Sequence, residues 1–467
     1  MNQTSKIAII GDIIADEYII GSSERLSPEY PTPVIKDIKS EIRCGGAANV
    51  AVCLSELTQD IEIFLTRTND SYMTRVLSVF KKKKIKFHFE RGINYRSTVK
   101  KRIYVDKNQI VRIDEDTIFE PNIANKILNK LLHKIGEYNF LIISDYGKGQ
   151  ISPFIKQVIK KGNSHKLKTI IDPYGKDWSN YKHSYCLTPN KKELEGVVGK
   201  ISSKAELIKK SKKLLNDLKL NCLLVTLGSE GMFLIKKNQK HIFLDAIEKQ
   251  VFDVTGAGDT VCAAFTFFLS VGFDEDKAIF YANQFASLSV IKFGVSPVSI
   301  KEYYDNFIKF SDHNKVIKNN NHLTNLVTLY KSLKLNIVFT NGCFDIIHAG
   351  HVKYLESSKN LGDILIVAVN SDNSIKKLKG ENRPINKLNN RIKILASLSF
   401  IDHIIVFDDL TPIKLIEVIS PNVITKGNGY KKNQVVGYKY LLKTGGKVEI
   451  INTKINTSSS KILKRLK

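Results

Sequence analysis

The chain has little of what would mark it as secreted, membrane-embedded or built around a metal cluster. Six cysteines are scattered through 467 residues: Cys44, Cys53, Cys186, Cys222, Cys262 and Cys343. None forms a Cys-x-x-Cys pair and most lie in apolar runs. A disulfide framework and a cysteine-held metal are therefore excluded, and reduced core thiols are expected. Long hydrophobic runs are also missing. The longest, Val261 to Phe273, is broken by polar residues and is too short to cross a bilayer. The opening stretch Ile7–Ile14 is interrupted by Asp12 and lacks a small-residue cleavage site after it, so a cytoplasmic location is expected. Acidic side chains are in short supply, 46 against 72 Lys and Arg, for a net charge of +26. That excess raises nucleic-acid binding as a question. The lysines are spread along the whole chain, however, and arginine, the better reader of bases and phosphates, is scarce. The dense run Lys81–Lys84 reads as a solvated helix end before the strand-like Ile85-Lys86-Phe87. Neither nucleic acid nor a membrane is an expected partner.

What is present is ordinary globular composition, 43% hydrophobic and 25% charged, over a length that suits two or three domains. Lys6–Gly11 reads as a buried strand. Thr98–Val105 and Gln109–Asp114 alternate like an antiparallel pair and predict a small sheet or lid. From Tyr138 onward strands alternate with loops and helices: Phe140–Ser144, Lys168–Ile171, Tyr185–Thr188 and Cys222–Thr226. Each ends in a polar or Gly-rich loop, which predicts a parallel sheet with its site at one edge. Ser311–His322 is polar and aperiodic, a linker signature. A second α/β run follows, with strands at Asn336–Thr340, Ile364–Val369, Ile404–Phe407, Val423–Thr425 and Lys447–Ile451. The expected domains are 1–315 and 336–467, joined through a linker and leading helix over 316–335.

The stretch Asp253-Val254-Thr255-Gly256-Ala257-Gly258-Asp259 joins a Gly-rich turn to an apolar helix-like segment. Backbone N–H groups at such a junction approach an anion closely, and the helix start adds partial positive charge. A carboxylate there would repel phosphate, so Asp259 suits a general base for an attacking hydroxyl. Alone, the pattern reads equally as a turn with an aspartate cap. Asp12 and Asp16, just past a strand end, are placed to accept bonds from sugar hydroxyls. Gly45-Gly46-Ala47-Ala48-Asn49 indicates close approach of a backbone or ligand, ahead of a helix expected over Val52–Leu57.

In the second half, His348-Ala349-Gly350-His351 opens a helix directly after Thr340-Asn341-Gly342-Cys343-Phe344-Asp345. Two imidazoles there can donate to phosphate oxygens as charge builds in an attack on an α-phosphate. A zinc pair would need further ligands, and the sequence offers no convincing ones.

Residues 1–315, through Gly45–Ala51, Asn190–Glu193 and Asp253–Asp259 in that order, resemble the ribokinase-like carbohydrate kinase family. The resemblance implies a three-layer α/β/α domain with a small β lid and Asp259 as base. It also implies an anion hole from Gly256, Ala257 and Gly258, and ATP held by Asn190, Lys191, Lys192, Glu193, Gly228 and Gly231. Mg2+ would be met by Glu193 through water, and the sugar by Asp12, Asp16, Gly45, Gly46 and Asn49. Residues from Asn336 onward resemble the cytidylyltransferase-like family. That implies a smaller Rossmann-like domain with His348 and His351 catalytic. Its nucleotide would meet Asn341, Gly342, Phe344, Gly350, Lys353, Arg391, Lys426, Gly427 and Ser458-Ser459-Ser460.

Local text at Arg25–Val34, Ser144–Gly149, Phe339–Leu355 and Leu378–Asn386 extends the likeness to bifunctional enzymes carrying both halves. They phosphorylate D-glycero-β-D-manno-heptose 7-phosphate at C1 and later join the heptose 1-phosphate to AMP. The implied partners are ATP, heptose phosphates and a second copy in a homodimer, with no tightly bound organic cofactor. Spacing alone leaves open a cytidylyl-transferring second half acting on another sugar or polyol phosphate. Two departures stand out: Glu17 where relatives carry a basic residue, and no acidic residue within Lys426-Gly427-Asn428-Gly429-Tyr430.

Overall fold

The structure, a computed structural model, describes residues 5–106, 108–238, 240–308 and 315–452. It divides into two compact units, Met1–Tyr303 and Tyr304–Lys467.

In the first unit, apolar runs such as Ile7–Gly11 and Phe140–Ser144 are buried on both faces, as strands covered by helices on two sides must be. Among the described residues they build a nine-stranded sheet. Ile7–Gly11 is the third strand from one edge, between Phe140–Ser144 and Ile61–Arg67, parallel to both. Lys168–Asp172, Cys186–Leu187 and Cys222–Thr226 continue the parallel order, and Met232–Lys236 and His241–Leu244 close one edge antiparallel. The strand order reverses direction at Ile7–Gly11. At such a point the loops leaving the carboxyl ends diverge, which is where open α/β sheets place their ligand crevice.

The lid is a separate sheet in the order Lys36–Gly46, Ile13–Ser22, Thr98–Val105, Asn108–Glu115. The antiparallel pair expected from alternation is its outer hairpin. The helix expected over Val52–Leu57 instead spans Ala47–Ser55, starting directly after the two glycines. Small side chains at Ala47 and Ala48 let it begin against the strand without a polar cap.

The second unit holds a five-stranded, all-parallel sheet among its described residues. Its order is His403–Phe407, Ile364–Asn370, Ile337–Gly342, Val423–Gly427, Lys447–Ile451. Its switch point lies between Ile337–Gly342 and Val423–Gly427. Part of the polar stretch expected as linker belongs to this unit. Val316 pairs in parallel with Ile404, and Asn319 caps the helix Asn320–Ser332. The sheet edge at His403–Phe407 supplies backbone partners that polar residues can use as readily as apolar ones. Among the described residues no helix is long and apolar enough to cross a membrane, and all six cysteines are free, five of them buried.

Candidate active sites

Asp259 stands in the first turn of the helix Ala257–Ser270, whose N-cap Gly256 is left-handed at φ 77°. A Cβ on Gly256 would lie 2.9 Å from the Asn49 amide nitrogen, so glycine is required both by the turn and by its neighbour. The Asp259 carboxyl is buried. Asn49 donates to its Oδ2 at 2.7 Å, and the Tyr146 hydroxyl donates to Oδ1 at 3.3 Å. Burial pushes its pKa up to about 7, opposed by the Asn49 bond. A carboxyl near neutrality is matched to taking a proton at physiological pH. Among the described residues the amides of Gly256 and Gly258 have no protein acceptor. The Ala257 amide, expected in the same anion hole, instead donates to the Val254 carbonyl at 3.2 Å. The turn consumes that donor.

The residues expected at the sugar divide into two groups. Asp16 is buried on the lid strand Ile13–Ser22 and pairs with Arg102 from Thr98–Val105. Gly45 faces it so closely that a Cβ would lie 2.1 Å from the carboxylate. Strand alternation turns Glu17 to the opposite face. There it accepts from Ser40 at 2.7 Å and Tyr72 at 2.8 Å, away from the face of Asp16. Asp12, expected as a sugar ligand, is fully buried and accepts three backbone N–H groups, from Tyr146, Lys148 and Gln150. Burial raises its pKa to about 6 while those bonds pull it down. Its carboxylate holds the Asp145–Gln150 loop. Gly46 is occupied likewise, since a Cβ there would meet the Asp12 carbonyl at 2.5 Å. Asn49 acts on Asp259.

At the other end of the crevice Asn190 and Glu193 form a reciprocal capping box on the helix Lys191–Val198. Burial raises the Glu193 pKa. Lys191 pairs with Glu230 at 3.1 Å, which ties that helix start to the Gly228–Gly231 loop, and Lys192 is exposed. Gly228 faces open space, but a Cβ on Gly231 would meet the Leu244 carbonyl at 2.0 Å, so Gly231 serves strand packing. Sequence reading missed Tyr146, Lys100 and Asp172. Lys100 lies on the lid with its ammonium 5.2 Å over the Tyr146 ring. The Asp172 pKa is raised well above the usual carboxyl range by burial, then by Asp259, Glu193 and Asp145. The strand-end Asp-Pro and the Ser-Asp-Tyr-Gly-Lys-Gly loop were visible, but nothing local indicated which of their side chains turn inward.

In the second unit His348 is the N-cap of the helix Ala349–Lys359, and its Nδ1 accepts from the Gly350 amide at 3.1 Å. The rings of His348 and His351 lie 4.0 Å apart, centroid to centroid. Burial lowers both pKa values; that of His351 falls to about 4, with His348 and Lys379 adding to the effect. Both are neutral at pH 7. The His351 Nδ1 is buried without a hydrogen-bond partner. Phe344 packs edge-on against His351 and under Gly342. Lys426 reaches across the switch point to the Asn341 carbonyl at 2.7 Å, beside Gly427 at the end of the same strand. Burial lowers its pKa to about 8, and among the described residues it has no ion-pair partner. Lys353 is exposed and pairs with Glu356.

Arg391, expected at the triphosphate, is not available to it. The side chain is fully buried and donates to the carbonyls of Cys343, Asn370 and Asn386 and to Asp372. It fastens the carboxyl ends of two neighbouring strands. Asp345 has a matching role that sequence reading missed, holding Arg383 and the amides of Ile385 and Asn386. Ser458, Ser459 and Ser460 lie outside the described residues.

Two known family patterns match the chain, one in each half. The pfkB family carbohydrate kinase pattern matches residues 4–302 and the cytidylyltransferase-like pattern matches 339–465. The Bifunctional protein HldE of Histophilus somni (strain 129Pt) is 38% identical over 462 residues, covering 99% of this chain and 97% of its own. That of Haemophilus influenzae (strain PittEE) is 38% identical over 465 residues, with the same coverage. Among solved structures, Arabidopsis thaliana ribokinase complexed with ribose and ATP covers 65% of this chain and 98% of its own, with 21% identity and a TM-score of 0.53. Escherichia coli phosphofructokinase-2 in complex with fructose-6-phosphate covers the same shares, with 15% identity and a TM-score of 0.55. These two likenesses show the fold of the first unit. The full-length identity and the two matched patterns show that the chain belongs to the HldE family of bifunctional proteins, a pfkB-type carbohydrate kinase joined to a cytidylyltransferase-like domain.

Proposed function

We propose that the first unit transfers the γ-phosphoryl group of ATP to the anomeric hydroxyl of D-glycero-β-D-manno-heptose 7-phosphate. The second transfers AMP from ATP to the heptose 1-phosphate, giving ADP-heptose and pyrophosphate once a phosphatase has removed the 7-phosphate. The full-length identity to HldE proteins supports the pairing of the two activities.

In the kinase half, Asp259 takes the hydroxyl proton while the unpartnered amides of Gly256 and Gly258 receive the transferred oxygens. Asp16, oriented by Arg102, accepts from the sugar. The single observation carrying this reading is the buried Asp259 carboxyl, held by Asn49 beside those amides.

Both families use ATP with Mg2+. The residues present fit it: Glu193 is a half-buried carboxylate at a helix start, with one oxygen on the Asn190 amide. Among the described residues no three acidic, His or Cys side chains converge as an all-protein cage. That suits an ion carried on the triphosphate and met through water. Bound there, Mg2+ supplies neutralisation of phosphate charge.

In the second half, neutral His348 and His351 donate N–H groups to phosphate oxygens, and Lys426 supplies a cation from the far side of the switch point. Purified protein given heptose 7-phosphate, a phosphatase and ATP should yield ADP-heptose by mass spectrometry. A CDP product with CTP in place of ATP, and none with ATP, would overturn the adenylyl assignment.

A further inference from the structure

Tyr146 is held in place at both its backbone and its ring. Asp12 accepts the Tyr146 amide at 2.8 Å and the Lys148 amide at 3.0 Å. At the next residue, Gly147 has φ 69°, and the Tyr174 ring lies 2.3 Å from where a Cβ would stand. On the lid side, the Lys100 ammonium sits 5.2 Å over the Tyr146 ring. With backbone and ring both fixed, the phenol is aimed at one oxygen of Asp259, Oδ1, at 3.3 Å. Asn49 holds the other, Oδ2, at 2.7 Å.

We propose that Tyr146 is a positioning residue for phosphoryl transfer, donating to Asp259 Oδ1 so that the carboxylate is fixed by one donor on each oxygen, with Asp12 acting through the loop to keep that donor in place. The proposal rests on Asp259 being the base. With both oxygens anchored, the carboxylate plane cannot swing, and each oxygen keeps a lone pair for the incoming sugar hydroxyl. The proton passes from that hydroxyl to Asp259 as the sugar oxygen bonds to the γ-phosphorus. The bond from the γ-phosphorus to the bridging oxygen breaks, and ADP leaves with its electron pair. Tyr146 keeps its own proton throughout, since burial and then Asp259 hold its pKa far above the usual phenol range. Its bond favours the ionised form of Asp259, as does Lys100. The other groups facing Asp259 are Asp16 from the lid, Asp172 from the sheet, Cys53 from the helix Ala47–Ser55, and Cys262 on its own helix. Burial keeps both thiols protonated.

The test is the pH dependence of kcat/KM for 1-phosphorylation, measured on the full chain with saturating Mg-ATP, for the wild type and Tyr146→Phe. The acid limb should move up by roughly one pH unit, with only a few-fold loss at the alkaline plateau. Ionisation of the sugar phosphate is common to both proteins and cancels. An unmoved limb, with the rate lowered equally at every pH, would show that the ring merely packs and would overturn the proposal; so would a downward shift. Should Tyr146→Phe fail to fold, 3,5-difluorotyrosine at position 146, a stronger donor of nearly the same shape, should move the limb down. No movement there would also overturn the proposal. Asp259→Asn separates the two readings: retained turnover removes the base assignment itself, whereas lost turnover with an unmoved Tyr146→Phe limb removes only the role of Tyr146.

Discussion

Asn49 and Asp259, 210 positions apart in the chain, meet at 2.7 Å in the floor of the kinase crevice. The strand end Gly45-Gly46 makes this possible, because Gly46, at φ 56°, lets the helix Ala47–Ser55 start directly after the strand and so brings Asn49 to the first turn of Ala257–Ser270. Replacing Asn49 with Ala removes a hydrogen bond to a charged group, worth about 1.5–3 kcal/mol. The rate of 1-phosphorylation should fall by about 10- to 100-fold. Adenylyl transfer in the same preparation should be unchanged. An unaltered kinase rate would mean that the carboxylate needs no such support.

The same burial that tunes Asp259 should cost stability. Its folded pKa of about 7 stands above the ordinary aspartate value of 3.8. A carboxyl raised in this way binds more protons in the folded state across that window. Stability is therefore full below about pH 4 with respect to this group and is lost as pH rises through 7. About three units correspond to roughly 4 kcal/mol. Asp259→Asn should abolish 1-phosphorylation, spare adenylyl transfer, and raise the unfolding temperature of the first unit by several degrees at pH 8. The gain should vanish near pH 4. The sole tryptophan, Trp178, is buried in the first unit, so its fluorescence follows that unit alone. A lowered midpoint at pH 8 would contradict the account.

The fold was largely legible because its strands carry their own signal. Phe140–Ser144, Cys222–Thr226 and Lys447–Ile451 emerge with the limits that the apolar runs suggested. The motif residues Asp259, His348 and His351 also stand where a turn-to-helix junction puts them. What was not legible is the direction of polar side chains. Asp12 and Asp16 look alike in sequence, both just past the strand-like run Lys6–Gly11. Yet Asp12 turns to three loop amides and Asp16 to a lid arginine, because the neighbours that decide this, Tyr146 and Arg102, lie far along the chain. Arg391 is the same case reversed. A basic residue in a nucleotide-binding half reads as a phosphate ligand until the carbonyls around it are known.

Those carbonyls give Arg391 a different phenotype from a ligand. Arg391→Met leaves the acceptors of Cys343, Asn370 and Asn386 and the carboxylate of Asp372 without their donor. A buried acceptor left without its donor costs about 1–3 kcal/mol, and the Asp372 pair, with its carboxylate 36% exposed, is screened by solvent and adds less. The second unit should unfold earlier, seen as a circular-dichroism transition without change in Trp178 fluorescence. At temperatures where it remains folded, KM for ATP should be near normal. A normal unfolding midpoint with a much raised KM would restore the ligand reading.

Acid should weaken the second unit through histidines that are buried neutral. His403 is buried at the sheet edge, hydrogen-bonded to Tyr330, and its pKa falls to about 4, chiefly by burial. His351 falls to a similar value in a more open setting. An imidazole with a lowered folded pKa takes up its proton more readily when unfolded. Its contribution is therefore present above about pH 6.5 and is lost as pH drops toward 4. For His403 the difference amounts to about 3 kcal/mol; for His351, partly solvated, it is less. The first unit contains Asp259, whose titration runs the opposite way over part of the same range. Lowering the pH from 7 to 5 should thus separate the two transitions, with circular dichroism losing amplitude before Trp178 fluorescence changes. His403→Gln cannot take up that proton and should flatten the acid dependence of the earlier transition while lowering its midpoint at pH 7. If the variant keeps the wild-type pH slope, His403 is not the group that titrates.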